Sequence, residues 1–103
     1  MPSFGIGINP YKRNNGSVRG NTYPIACMAW YAPGYAPVPL LFKFEGYDGV
    51  LQTVCGIKVL STASKSYDGC RVYEYICDAV IGGIKYGFKI VFYILDCRWI
   101  LIF

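Results

Sequence analysis

Histidine is absent from this chain of 103 residues. That absence removes the commonest general base, the commonest zinc ligand and any Ser-His or Cys-His nucleophile pair. Acidic residues are absent from the first 39 positions, and proline is absent from everything after Pro39. The five cysteines, Cys27, Cys55, Cys70, Cys77 and Cys97, include no CxxC pair. Zinc sites and redox dithiols need close pairs, so no metal and no cofactor are expected, and the odd set reads as small buried hydrophobes in a reducing compartment. The apolar stretch from Ile90 to Phe103 is too short to cross a bilayer as a helix, and Asp96 and Arg98 interrupt it. The opening MPSFGIGINPYKRNNGSVRG has no apolar h-region. A cytoplasmic protein without membrane contact is the expectation.

What is present divides the chain in two. Residues 1–39 hold all six prolines, with Lys12, Arg13 and Arg19 as their only charges, a formal +3. Residues 40–103 carry seven basic and six acidic side chains, or +1. The NNGS, PGYAP and PVP segments are turn or polyproline chemistry. Yet the same stretch carries Phe4, Tyr11, Tyr23, Trp30, Tyr31 and Tyr35, an unusual load for a solvated linker. It reads as an irregular basic arm over residues 1–39 that lies along the domain or a neighbouring subunit, with a short strand over Ile25 to Tyr31. The glycine-rich GIGINP is no phosphate loop, since no strand precedes it and no helix follows.

From Leu40 onward the pattern is that of an all-β meander. LLFKFEG alternates, with Leu40, Phe42 and Phe44 on one face and Lys43 and Glu45 on the other. Tyr47-Asp48-Gly49 supplies a hairpin turn, because Asp and Gly adopt positive φ at little cost. VLQTVCGIKVL follows with Gly56 as a candidate bulge, then STASKSYDG as a loop, CRVYEYICDAV, the Gly82-Gly83 turn, IKYGFKIVFYI and RWILIF. The expectation is a four- or five-stranded antiparallel sheet over residues 40–103. Its final strand ends on an aromatic, and Trp99, Ile100, Leu101, Ile102 and Phe103 place large apolar groups on both parities. An uncovered strand of that kind is adhesive, so a homo-oligomer, first of all a dimer joined through these residues or through strand edges, is expected.

Two chemistries can be weighed on the charged residues. A metal-dependent nickase would need converging carboxylates around magnesium, drawn from Asp48, Asp68, Glu74, Asp78 and Asp96. Glu74 and Asp78 share a strand parity but lie about 13 Å apart by strand rise, too far for one ion, and Asp48 and Asp68 sit where turns favour Asp. Nucleic-acid binding would use Lys43, Lys58, Arg71, Lys85 and Lys89 if their parities align, with Tyr73, Tyr75 or Tyr93 interleaved and Lys12, Arg13 and Arg19 added by the arm. The competing reading is a wet sheet face with ordinary solvent-facing lysines.

FEGYDGVLQTVCGIKVL, SYDGCRVYEYICDAVIGG and FKIVFYILDCRWILIF, spanning roughly residues 40–103, resemble small uncharacterised proteins carried by prophages and mobile elements of gut Firmicutes. Among small phage proteins of similar style are anti-CRISPR proteins with a truncated fold like the single-strand-binding coactivator positive cofactor four. The resemblance implies an all-β oligomer in a bacterial host cell that acts on DNA by nicking, and it supplies no matching functional residues. The leading expectation is a small binding or inhibitory protein that engages single-stranded or duplex DNA, or a nucleoprotein or protein target. The alternatives are a magnesium-dependent DNA nickase and a structural subunit of a particle or filament.

Overall fold

A computed structural model describes residues 21–46 and 48–103. Lys12, Arg13, Arg19 and Tyr47 lie outside the described residues. Within them the chain is all-β, with no helix: β1 (Thr22–Trp30), β2 (Val38–Glu45), β3 (Leu51–Val54), β4 (Lys58–Tyr67), β5 (Cys70–Ile81), β6 (Ile84–Tyr93) and β7 (Arg98–Ile102). All belong to one antiparallel sheet in the order β3-β2-β1-β7-β6-β5-β4.

Seven strands therefore replace the four or five expected, for two reasons. Tyr23, Ile25, Cys27 and Ala29 alternate inward and make β1 a sheet member inside the stretch that reads as an arm. The run VLQTVCGIKVL, which reads as one strand, breaks at Cys55–Ile57 into β3 and β4. In addition, STASKSY is strand rather than loop, paired with β5 from Lys58 to Tyr67. Its small polar side chains suit an edge strand that is exposed on both faces.

The break at Cys55–Ile57 is what curls the sheet. β3 and β4 run in the same direction, so a direct pairing would need a crossover of a dozen residues or more. They stand at opposite ends of the strand order, about 29 Å apart if the sheet were flat. Four Cα steps span at most about 15 Å. The sheet must roll, with Gly56 (φ +65°) supplying the corner. β1 supplies the opposite corner: Thr22–Ile25 pair with β7, and Ala26–Trp30 pair with β2. Strands that change partners at bends are how two sheet layers are joined across a core. Each half of β1 has one partner strand, and Pro24, which removes a ladder donor, sits in the half paired with β7.

The rolled inner face holds Phe42, Val54, Tyr75, Cys77, Ala79, Ile90, Phe92, Trp99 and Leu101, all buried. Phe92 stacks on Trp99 at 4.3 Å, and Phe42 of β2 meets Phe88 of β6 at 5.6 Å, which joins the two halves. The buried Tyr75 hydroxyl donates to the Pro37 carbonyl, tying the β1–β2 connection to β5. Burial raises the Tyr75 phenol well above its ordinary pKa, so it remains a donor throughout the accessible pH range. A Tyr75→Phe variant leaves that carbonyl without its donor and is expected to lose about 1–3 kcal/mol, read as a lower urea midpoint at unchanged slope.

Leu40 corrects the expected face of β2. A register shift opposite Met28/Ala29 turns Pro39 inward, where it is buried, and leaves Leu40 exposed. The cysteines divide as well. Cys77 is buried and Cys27 half-buried, both with thiols pushed up to about 12 by burial, whereas Cys55, Cys70 and Cys97 are exposed rather than buried hydrophobes.

Candidate binding surface on the outer face

Strand register decides which charges meet. On β5 and β6 the directly opposed pairs Glu74↔Val91, Ile76↔Lys89, Asp78↔Gly87 and Val80↔Lys85 lie on the sheet face opposite the rolled inner core, where Val91 is buried in a second, smaller cluster with Val72 and Ile102. β4 adds Lys65 opposite Val72 and Lys58 opposite Asp78 on the same side. Four lysines, Lys58, Lys65, Lys85 and Lys89, thus share one face with two carboxylates, Glu74 and Asp78. The sum is +2. Lys65 was missed at the sequence level because STASKSY reads as a loop, which has no parity.

The two carboxylates hold the lysines in place. Glu74 is buried, with Lys65 Nζ at 2.8 Å from Oε1 and Lys89 Nζ at 3.5 Å from Oε2. The Tyr67 hydroxyl also donates to Glu74 Oε2. Burial pushes the Glu74 carboxyl upward in pKa, but the hydrogen bonds from Lys65 and Tyr67 and the charges of Lys89 and Lys65 outweigh it, and the net direction is down. The same arrangement drives the Tyr67 phenol up, first through burial and then through Glu74. Lys85 lies 3.8 Å from Asp78.

Between Lys85 and Lys89, Gly87 presents no side chain, and a shallow, open depression lies there. Leu60, Ile76, Ile102 and Phe103 give it apolar walls, and the two lysines stand at its rim with Asp78. At the far end of the same face the Arg98 guanidinium lies 4.5 Å over the Tyr93 ring, which also contacts Tyr67 edge-on.

Other expected site residues fall elsewhere. Lys43 sits on β2 opposite Ala26, and Arg71 is exposed on the inner parity of β5 opposite Ser66. Tyr75 is buried and Tyr73 packs against the core, so neither offers a ring to a nucleobase; Tyr93 remains on the outer face. The candidate carboxylates do not converge. Asp48 accepts a turn hydrogen bond from Val50 N at 3.0 Å, Asp68 occupies a positive-φ turn position, and Asp96 lies 3.6 Å from Arg98. Among the described residues no group of three His, Cys, Asp or Glu side chains could hold a metal ion.

The terminal strand is central. β7 is hydrogen-bonded to β6 on one side and β1 on the other. Trp99, Leu101 and Ile102 are buried within the chain, Ile100 is half-buried and Phe103 is exposed. No helix among the described residues is long and apolar enough to cross a membrane.

No protein-family model, curated protein or solved structure matches the chain.

Proposed function

We propose that this protein is a non-catalytic binding module that engages an anionic partner, a nucleic acid or a nucleoprotein, through the outer face of β4, β5 and β6. One observation carries the reading: four lysines fall on a single parity-aligned face with only two carboxylates to offset them. Glu74 and Asp78 then serve to position ammonium groups rather than to do chemistry. Glu74 is engaged by Lys65, Lys89 and Tyr67, an arrangement that favours the binding reading over the nickase alternative. The mobile-element setting, with an inhibitory role in a bacterial host cell, rests on the sequence resemblance alone.

Lysines without a bidentate arginine cluster contact phosphates rather than base edges. Binding should therefore be indifferent to sequence and steeply dependent on salt. Fluorescence anisotropy with labelled single- and double-stranded oligonucleotides is the test. On single strands the log–log salt slope should be about −0.7 per contact, and replacing Lys85 and Lys89 together by glutamine, which adds no carboxylate beside Glu74, should flatten it by about 1.4 while leaving the circular dichroism spectrum unchanged. No binding at low salt and micromolar protein would overturn the proposal.

A further inference from the structure

β4 closes one end of the strand order and pairs only with β5. Its residues are exposed except at Val59 and Tyr67, which are half-buried. Asp68 and Gly69, at φ 51° and 80°, make the two-residue turn that joins it to β5. In a hairpin of that kind the flanking pair, here Tyr67 and Cys70, exchanges both backbone hydrogen bonds, and bonded pairs then alternate along the ladder. Lys65 opposite Val72 and Ala63 opposite Glu74 therefore face β5. Thr62, Ser64 and Ser66 turn their N–H and C=O groups the other way, and among the described residues no strand pairs with that side of β4. Three donors and three acceptors stand open in a row, beside side chains too small to cover them.

We infer that this edge of β4 takes an acidic, extended segment of another protein as an added strand. In such an addition the main-chain hydrogen bonds supply affinity, and the side chains alongside decide what is accepted. β4 carries Lys58 and Lys65 and no carboxylate. The side chains of an added strand would alternate between the two faces of the sheet. On the outer face they meet Lys65 and, past the register shift at Val59/Ser61, Lys58. On the inner parity they meet Arg71, exposed opposite Ser66, whose short side chain does not screen it. The nearby carboxylates are engaged or lie past the strand's end: Glu74 is shared by Lys65 and Lys89, Asp78 lies against Lys85, and Asp68 sits in the turn. A carboxylate on either face of the added strand thus finds a cation.

A second copy of this chain is the poorer occupant. Lysine on an edge strand works against self-pairing, because a copy brings its own cations to the contact. A strand bearing carboxylates turns the same residues into an attraction, so one pair of lysines both rejects and selects. The inference is separate from the outer-face reading. It uses backbone groups at the rim of the sheet, and Lys85 and Lys89 take no part in it.

The probe is a fluorescein-labelled peptide of alternating glutamate and valine, with its lysine–valine counterpart as control. Binding is read by anisotropy, and the site by amide hydrogen exchange in NMR spectra. The glutamate peptide should bind and the lysine peptide should not. On binding, the amides of Thr62, Ser64 and Ser66 should exchange more slowly, while those of Ala63 and Lys65, already bonded to β5, stay protected throughout. Ser64→Pro removes a donor that β5 does not use, so the far-ultraviolet spectrum should be kept. Peptide affinity should fall by about tenfold, the worth of one or two hydrogen bonds. Lys85→Gln with Lys89→Gln should leave peptide binding unchanged, and Ser64→Pro should leave oligonucleotide binding unchanged, so a failure here is distinguishable from a failure of the outer-face reading. No binding of the glutamate peptide, equal binding of both peptides, or binding that protects none of the three amides overturns the inference. Concentration-dependent protection of those amides without peptide gives the edge to a second copy and overturns it equally. If Ser64→Pro does not fold, the amide pattern of the parent chain decides.

Discussion

A Trp99→Ala variant is expected to be about 3–5 kcal/mol less stable than the parent, the range for removing a large buried aromatic. Trp99 is 6% exposed on β7, the strand that joins the β1 half of the sheet to β6. Its ring stacks on Phe92 at 4.3 Å and on Tyr75 at 5.9 Å. The loss therefore combines transfer free energy, an unfilled cavity at the centre of a rolled sheet and two aromatic pairs, each worth about 0.5–1.5 kcal/mol beyond its area. Small domains have only about 5–15 kcal/mol in total, and 1 kcal/mol moves the melting temperature of a chain this size by roughly 4–8 °C. A fall of about 15–30 °C by differential scanning fluorimetry is the expected reading, with Trp99→Phe recovering more than half of it. A fall of a few degrees for the alanine variant would mean that Trp99 does not sit in a packed core.

Much of the sheet was legible because hairpin turns are local chemistry. Gly82-Gly83 joins β5 to β6 with both residues at positive φ, and Asp48-Gly49, with Gly49 at φ +81°, lies in the turn between β2 and β3. The inner parity of β6, with Phe88, Ile90 and Phe92, follows directly from apolar alternation. The corners were not legible. A strand that changes partners between Ile25 and Ala26 shows no break in alternation, because the inward positions remain inward on both sides of the bend. The Cys55–Ile57 corner is likewise a consequence of closure between distant strands, and Gly56 alone does not distinguish a corner from a bulge. β4 was hidden for the opposite reason. An edge strand wet on both faces needs no alternation, so serine and threonine there look like loop.

The candidate surface was legible only in part. Counting parities brings Lys85 and Lys89 to one face, but the facing of Lys58 and Lys65 depends on the β4–β5 register, which no local pattern contains. Nor does spacing show that Glu74 is buried. It alternates with Tyr73 and Tyr75 and so reads as a solvent-side acid, yet Tyr67 and two lysines close over it. The exposed hairpin presents the reverse case. Trp30, Tyr31 and Tyr35 make the stretch too aromatic for a linker, and only the pairing with Val38 places Trp30 on the outer side of β1.

Glu74 gives the second large effect, and pH gives it a sign. Its folded-state carboxyl titrates below the ordinary value because Lys65, Tyr67 and Lys89 favour the anion more strongly than burial disfavours it. A group whose pKa is depressed on folding contributes stability above its unfolded pKa, about 4.3 for Glu. That contribution is lost as pH falls through the folded pKa, since the unfolded chain takes up the proton first. Glu74→Ala should cost about 2–3 kcal/mol at neutral pH, from the loss of charge-assisted hydrogen bonds. The cost should stay below the ~3–5 kcal/mol of a fully sequestered ion pair, because the Lys65 and Lys89 side chains are 48% and 27% exposed and their stranded ammoniums can reach water. Urea midpoints for the parent and for Glu74→Gln, taken from pH 7 down to about pH 3, isolate the charge from the shape. The gap between them should be widest at neutral pH and should narrow from roughly pH 5 downward as the parent loses its carboxylate. A gap that stays constant or widens on acidification would show that burial, not the lysine pair, sets the ionisation of Glu74, and the positioned ammoniums of the outer face would lose their anchor.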